Sequence, residues 1–480
     1  MALNQPAEKI VLATSNGTGM GHLTRQLCVA NALAPTACPV FFSMSKAAGV
    51  INTEGFSGEY CPSRESNWIP EARWHDYLAD RLCAFVAETQ ARIVVFDGVV
   101  PYLGLLRARV ELPEVAFVWM RRGYWRADAR TAPLDSAGLF DLVLEPGDLA
   151  AAGDTGPTGG LGDAVRLPPV STLEHLEPLP REQAAAAMGI APDRPTALVT
   201  LAAGALNNVV APGTAALQAF LDDPNWQVVV SRSALNQQGM ELSDSTRCVE
   251  LPGLYPLAKY LNTVDAAVSA GGYNSTHELL YARVPTLLVP NRWTNTDDQG
   301  ARVRWLAEAG LALHAEESDH DGIRAQAVRL RDATVRAALE RACAALEPPA
   351  GSRAAAEEIT ALLATSLRTR PVARTARVRL RLAAMRLLGP YGTAMARRVL
   401  GRAPTPGPLR PRLVQLVDVP QASTPPGHYQ DHALVMTDIL DNELLRSGHA
   451  VEQVITGASS KYWEERLRMV RRYYRVQEHG

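Results

Sequence analysis

The stretch from Asp265 to Gln299, DAAVSAGGYNSTHELLYARVPTLLVPNRWTNTDDQ, decides how the rest of the chain is read. Asp265 to Val268 is a short apolar run of the kind that forms a buried strand, and it leads directly into Ser269-Ala270-Gly271-Gly272. Glycines let a backbone turn sharply and approach a ligand without a Cβ in the way. A helix start follows. Ser275-x-x-Glu278 matches a capping box, in which each side chain satisfies a free donor at the helix start. Glu278 also falls at the mouth of the strands' carboxyl ends, where α/β sheets bind ligands, and a carboxylate there can accept two hydrogen bonds from a ribose diol. Gly272, Ser275 and Thr276 offer donors to a phosphate. The two readings coexist, since a cap can hold the helix on which a site sits. Pro285 to Val289 (PTLLV) supplies the next strand, and the polar segment Asn295 to Gln299 comes after it.

The same grammar extends outward. Thr196 to Thr200 (TALVT) leads into Ala202-Ala203-Gly204, and Gln227 to Val230 is a further strand. Earlier in the chain, Ile10 to Ala13 is ended by the glycine-rich segment Ser15 to Gly21, and a helix carries Leu23, Leu27, Ala30 and Ala34 on one stripe. Phe41-Phe42, Ile93 to Phe96 (closed by Asp97-Gly98) and Val115 to Val118 are strands as well. Strands alternating with helices imply parallel sheets covered on both faces. A chain of 480 residues is too long for one core, so two α/β halves are expected, over 1–165 and 166–366. The small-residue segment Ala150 to Gly162 marks the boundary region, with Leu167-Pro168-Pro169-Val170 as a rival hinge. A helix-forming stretch, Ala354 to Ala364, is expected to end the second half.

Gly17-Thr18-Gly19-Met20-Gly21-His22 also sits between a strand and a helix. A helix N-terminus there presents free N–H groups and partial positive charge, a ready anion site. The segment is not GxGxxG and lacks a P-loop lysine, so a bare structural turn is the competing reading. His22, at the start of the helix, is kept neutral and basic by the helix dipole and can accept a proton near neutral pH. A histidine that merely caps or fills space is the alternative.

With these residues in view, Ser269 to Gln299 resembles the donor-binding signature of glycosyltransferase family 28, and GTGMGH resembles that family's N-terminal glycine loop with its histidine. The resemblance covers roughly residues 9 to 365 and implies an α/β GT-B fold: two Rossmann-like domains facing across a cleft, here with a C-terminal extension. It implies that Glu278 binds ribose and that Gly271, Gly272, Asn274, Ser275 and Thr276 face the diphosphate. Gly204 would belong to a second phosphate-side loop, and Asp298 and Gln299 would contact the donor sugar. Gly17, Thr18, Gly19 and Gly21 would form the loop on the acceptor and phosphate side. The implied reaction is an inverting sugar transfer from a nucleotide sugar, a UDP-sugar, to a hydroxyl, with His22 as base and Asp97 as second candidate. No cofactor and no metal are expected. Asp319-His320-Asp321 is the only D-x-D, and it precedes a helix, where capping is its expected job. The expected partners are the nucleotide sugar and a glycan, lipid-linked or small-molecule acceptor. A nucleotide-sugar epimerase and a silent sugar-nucleotide-binding module are competing readings.

Composition bounds the rest. Lys+Arg 48 against Asp+Glu 50 excludes a globally basic nucleic-acid binder. The six cysteines form no CxxC pair and no His-flanked cluster, so they read as reduced thiols. The longest apolar candidate, Ile93 to Leu106, carries Asp97 and Pro101, which excludes a spanning helix. Met1 to Lys9 does not resemble a secretory signal. The expected location is the cytoplasm, with peripheral attachment to the inner face of a membrane as an option. That option rests on the Arg-rich linker 367–412, which carries twelve arginines between 368 and 412 and no acid, and would be drawn to anionic lipid. Its arginines are spread around a helical wheel, so a solvated linker is the competing reading. Trp119 to Arg126 (WMRRGYWR) reads as an acceptor- or membrane-facing surface or a solvated loop. Residues 413–480 read as a small β-α-β-α extension, too small to bury its own core.

Overall fold

Runs of apolar residues that are not interrupted by alternating polar ones belong to strands covered on both faces, and this chain folds around two sets of them. The computed structural model describes residues 7–15, 20–64, 71–201, 210–232, 246–252, 255–291 and 296–364. Gly17, Thr18, Gly19, Gly204, the linker 367–412 and the extension 413–480 lie outside these residues.

The first sheet has seven strands: β1 (Lys9–Thr14), β2 (Cys38–Ser43), β3 (Ser57–Tyr60), β4 (Ile93–Asp97), β5 (Ala116–Met120), β6 (Leu142–Glu145) and β7 (Val165–Arg166). Their order is β3-β2-β1-β4-β5-β6-β7, and every pair is parallel. Helices α1 (Gly21–Leu33), α2 (Gly49–Thr53), α3 (Glu71–Thr89) and α4 (Leu103–Glu111) connect the strands. Ile10 and Leu12 of β1 pack with Leu23 and Leu27 of α1, while Val11 and Ala13 face Trp74, Tyr77 and Leu78 of α3.

The second half opens with α5 (Arg181–Met188). Its sheet runs β10-β9-β8-β11-β12-β13, again all parallel, from β8 (Thr196–Thr200), β9 (Gln227–Arg232), β10 (Cys248–Pro252), β11 (Ala266–Ala270), β12 (Thr286–Val289) and β13 (Leu313–His314). Helices α6 (Val210–Leu221), α7 (Tyr273–Tyr281), α8 (Gln299–Glu308), α9 (His320–Arg329) and α10 (Ala333–Ala344) complete it. Each sheet reverses its strand order once, between β1 and β4 and between β8 and β11. Such reversals open crevices at the strands' carboxyl ends. Ser15, His22 and Asp97 sit at the first, and Gly271 to Asn274 at the second.

Three expectations need correction. The last described helix, α11 (Gly351–Ala361), begins earlier than expected and does not end the second half: Ala355, Ala356, Ile359 and Leu362 pack with Leu23 and Leu27 in the first half's core. Its apolar stripe packs against α1. The boundary at 165/166 cuts β7, and the chain crosses between the halves just after it, through Leu167 to Val170. Finally, Trp119 to Arg126 is not a solvated loop, and its Arg122, Gly123 and Tyr124 line the cavity between the halves. Trp119, Arg121, Tyr124 and Trp125 are buried, and Arg121 bonds Glu145 (3.2 and 3.0 Å) and Asp163 (2.9 and 2.7 Å). Partners distant in sequence neutralise arginines that local composition assigns to solvent. All six cysteines are free, three of them buried.

The two crossings touch. Gly351 N–H donates to Pro169 O at 3.0 Å, and Glu174 accepts from the Ser352 N–H at 3.0 Å, placing a carboxylate at the start of α11. A Cβ on Gly351 would stand 2.2 Å from the Pro168 carbonyl oxygen, a backbone atom with no freedom to move aside. Gly351→Ala should therefore cost about 1–3 kcal/mol of stability as overpacking, read as a lower denaturation midpoint. Gly160→Ala, with nothing within 4 Å of the new methyl, should leave the midpoint unchanged. Equal midpoints for the two variants would contradict the close crossing.

Candidate functional site

The site starts from two strand ends. β4 ends on Asp97, whose side chain is 0% exposed, and Ser15 N–H donates to the Asp97 carbonyl at 2.9 Å, locking the end of β1 beside it. α1 begins at Gly21, so His22 and Arg25, three residues apart, share one helix face. Both turn to Asp97. His22 Nδ1 lies 2.6 Å from Asp97 Oδ1, and Arg25 donates from Nε to Oδ2 (2.9 Å) and from Nη2 to Oδ1 (2.6 Å). Burial lowers the His22 pKa from 6.5; Asp97 opposes this, and Arg25 and Arg122 add to it. Burial pushes Asp97 upward, but Arg25 and His22 outweigh it and hold the carboxyl below its ordinary value. Asp97 is thus an ionised partner fixed on His22, with its oxygens taken, rather than a second base standing apart. Arg25 was not singled out from sequence; its three-residue spacing from His22 was the one available signal.

In the second half β11 ends at Ala270, and Gly271 and Gly272 turn the chain into α7. A Cβ on Gly271 would meet Val303 Cγ2 at 2.4 Å, so the close packing requires glycine. Gly272 is the N-cap residue, with extended φ −70° and ψ 150° and no side-chain cap. The expected Ser275–Glu278 capping box is therefore not formed. The helix begins at Tyr273, two residues before Ser275, which puts Glu278 in the second turn, too far along to reach the helix start. Instead Thr172 Oγ1 donates to Glu278 Oε1 at 3.0 Å. The capping box in this region is Ser171–Glu174, on the crossing segment. Glu278 is 7% exposed, and burial, against the pull of the Thr172 bond, pushes its pKa up to about 7. Thr276 is fully buried, and its hydroxyl has no hydrogen-bond partner among the described residues.

Asp298 and Gln299 lie beside this turn. Asp298 caps α8, accepting from the Ala301 N–H at 2.9 Å. Gln299 Oε1 accepts from the Asn291 N–H at 3.0 Å, and its Nε2 lies 4.0 Å from where a Cβ of Gly272 would be. Asp319 caps α9, accepting from Gly322 N–H at 2.9 Å, the capping role expected of the D-x-D segment.

The start of α1 faces the turn into α7. Asn274 Nδ2 donates to Gly21 O at 3.3 Å, and the Arg25 guanidinium lies over the Tyr273 ring, 5.4 Å from its centroid. Tyr273 O–H donates to Gly147 O (2.7 Å), and the Leu149 N–H donates to His277 Nε2 (3.0 Å). Arg302, fully buried, donates from Nε to Asp148 Oδ2 (2.7 Å) in the first half and from Nη1 to Gly271 O (3.0 Å). Its Nη2 pairs with Asp297 Oδ1 at 2.9 Å, while Arg122 pairs with Asp297 Oδ2 at 2.5 Å. Burial alone would raise the Asp297 pKa, but Arg122 and Arg302 bring it down to about 2. Asp297, Arg302 and Arg122 were missed from sequence because their roles come from partners in the other half. A cavity of about 210 Å³ lies between the halves, lined by Arg25, Arg122, Tyr124, Asp148, Tyr273 and Arg302 among others. Among the described residues no group of three or more His, Cys, Asp or Glu side chains is arranged to hold a metal ion, and no helix is long and apolar enough to cross a membrane.

No family model matches the chain. It is 30% identical over 88 residues to the UDP-N-acetylglucosamine--N-acetylmuramyl-(pentapeptide) pyrophosphoryl-undecaprenol N-acetylglucosamine transferase of Leuconostoc citreum (strain KM20). That match spans 18% of this chain and under a quarter (23%) of the relative's length. Among solved structures, the chain is similar to the glycotransferase of kitacinnamycin (TM-score 0.53, 17% identity, 75% of this chain and 100% of that one). It is also similar to the spinosyn forosaminyltransferase SpnP (TM-score 0.53, 15% identity, 74% and 100%) and the calicheamicin glycosyltransferase CalG4 (TM-score 0.50, 17% identity, 76% and 100%). The fold is GT-B: two Rossmann-like domains facing across a cleft.

Glu278 gives the site a pH signature. Its folded pKa, about 7, lies above the ordinary 4.5, so the folded state binds more protons between these values and the contribution to stability is lost as pH rises through 7. The difference is worth about 3 kcal/mol above that pH. Glu278→Gln should raise the melting temperature at pH 8 and leave it near wild type at pH 5. An equal offset at both pH values would contradict the buried, costly carboxylate.

Proposed function

We propose that this chain is an inverting, metal-independent glycosyltransferase that moves a sugar from a UDP-sugar to a hydroxyl acceptor. One observation carries the reading. A His–Asp pair at the first half's crevice is held directly opposite the glycine turn of the second half, with Asn274 bonded to Gly21 across the gap. The GT-B fold supports it, and so does the 88-residue similarity to a UDP-N-acetylglucosamine-using transferase.

With Nδ1 committed to Asp97, His22 Nε2 is the nitrogen that takes the acceptor's hydroxyl proton. The acceptor oxygen attacks the anomeric carbon from the face opposite the diphosphate, the bond from that carbon to the diphosphate oxygen breaks, and the configuration inverts. Charge growing on the leaving diphosphate meets backbone N–H groups at the start of α7 and the Asn274, Ser275 and Thr276 side chains. Glu278 holds the ribose diol, and the donor's hydroxyls offset the cost of keeping that carboxylate buried. Asp298 and Gln299 contact the sugar. The acceptor class we favour is a lipid-linked or cell-envelope glycan, reached from the inner face of the membrane with the Arg-rich linker at the anionic surface.

The test has two arms. UDP-sugars should raise the melting temperature by mass action, and UDP should be released only when a hydroxyl acceptor is added. Formation of a new sugar nucleotide without an acceptor would replace this reading with an epimerase, and binding without turnover across an acceptor panel would replace it with a silent binder. His22→Ala should lower kcat about 10²–10⁴-fold while leaving donor affinity near wild type; transfer at the wild-type rate would remove His22 from the chemistry.

A further inference from the structure

We propose that Arg25 is a positioning residue for the His22–Asp97 pair, clamping the Asp97 carboxylate with its guanidinium fork and holding a fixed positive charge against the His22 ring. The proposal rests on the reading of His22 as the base. Its evidence is geometric. Arg25 is 3% exposed and reaches both Asp97 oxygens, the two-pronged arrangement for which a planar guanidinium is built. Its Nη2 also stands 2.8 Å from His22 Nδ1. An arginine nitrogen can only donate, so Nδ1 cannot both give its hydrogen to Asp97 and accept one from Arg25. Asp97 is ionised, so the ring N–H goes to the carboxylate, and the guanidinium, paired with that same carboxylate, stands beside the imidazole with no hydrogen bond to it.

That arrangement divides the attraction of Asp97 between two cations. A proton added to His22 Nε2 makes an imidazolium that Asp97 stabilises from β4 but that Arg25, on α1, and Arg122, on the segment after β5, oppose. Asp97 can therefore orient the ring without making it hold a proton at neutral pH, and His22 stays unprotonated and ready to act further into acid. The second half keeps the guanidinium in place. The Tyr273 ring lies under it and Asp297 contributes a field, so the clamp is complete only when the halves meet. Neither contact is available to the first half alone.

The experiment titrates the His22 imidazole by NMR in the full chain, its signal assigned by loss in His22→Ala, alongside the pH profile of kcat/KM. Arg25→Met keeps an unbranched apolar stem and removes the charge, and it should move the His22 titration and the acid limb of the profile up by about one pH unit. Arg25→Gln, which still offers a donor to Asp97, guards against a folding failure and should give the same rise. Arg25→Lys retains the charge, so His22 should titrate near its wild-type value while kcat falls through loss of the fork. An unmoved His22 titration in the Met or Gln variant, or a rise in Lys as large as in Met, would overturn the proposal. Failure of the base reading looks different: His22→Ala would transfer sugar at the wild-type rate, whatever the titration shows.

Discussion

Arg302 comes from the second half and is buried between Asp148 of the first half and Asp297, and the cleft is organised around that burial. A charge taken out of water costs several kcal/mol unless it is paired and its donors are used. Arg302 meets that condition only with the halves together: one face bonds Asp148, another bonds the Gly271 carbonyl, and the plane lies 4.8 Å from the Tyr124 ring centroid. Separating the halves would strand Asp148 and Arg122 as well and leave Asp297 with Arg302 alone. The network also fixes the part of the second half that carries the candidate site. Gly271 is held at the turn, and the strand-like pairing of Trp125 with Asp297 sets the approach to Asp298 and Gln299.

Around this contact the chain crosses between halves twice, and both crossings are pinned. Ser171 and Glu174 form a capping box on the outgoing segment, and the same Glu174 accepts from the start of α11 on the way back. Thr172, between them, holds Glu278. The carboxylate read as the ribose ligand is therefore tied to the hinge, so movement of the halves and the setting of that residue share one hydrogen bond.

Much of this was legible in the residues, for a physical reason. Central strands of a parallel sheet are apolar on both faces, so TALVT, QVVV, DAAV and PTLLV announced themselves, as did Ile10 to Ala13 and Ile93 to Phe96. Edge strands did not: β3, reading SGEY, and β7, two exposed residues, carry too few apolar positions to register. The glycine turns and His22 were visible because glycine at a strand end followed by a helix start is a local pattern. What failed was whatever depended on distant partners. Ser275 and Glu278 have the spacing of a cap, yet Gly272 had already begun the helix. Trp119 to Arg126 looked solvated because Asp163, Glu145 and Asp297 are far away in sequence. Arg25, Asp297 and Arg302 went unnoticed because nothing local distinguishes a buried, paired arginine from a surface one. The 351–361 helix was legible as a helix but not as a part of the first half's core.

The donor must lie between the start of α1 and the 271–278 turn for sugar transfer to occur here. The most direct test is a crystal structure with UDP bound. The diphosphate should lie within hydrogen-bond distance of the backbone N–H groups and side chains at Asn274 to Thr276, with the ribose hydroxyls at Glu278 and the open end of the diphosphate directed towards His22. UDP bound away from the 271–278 turn, or absent from the cleft at saturating concentration, would contradict it.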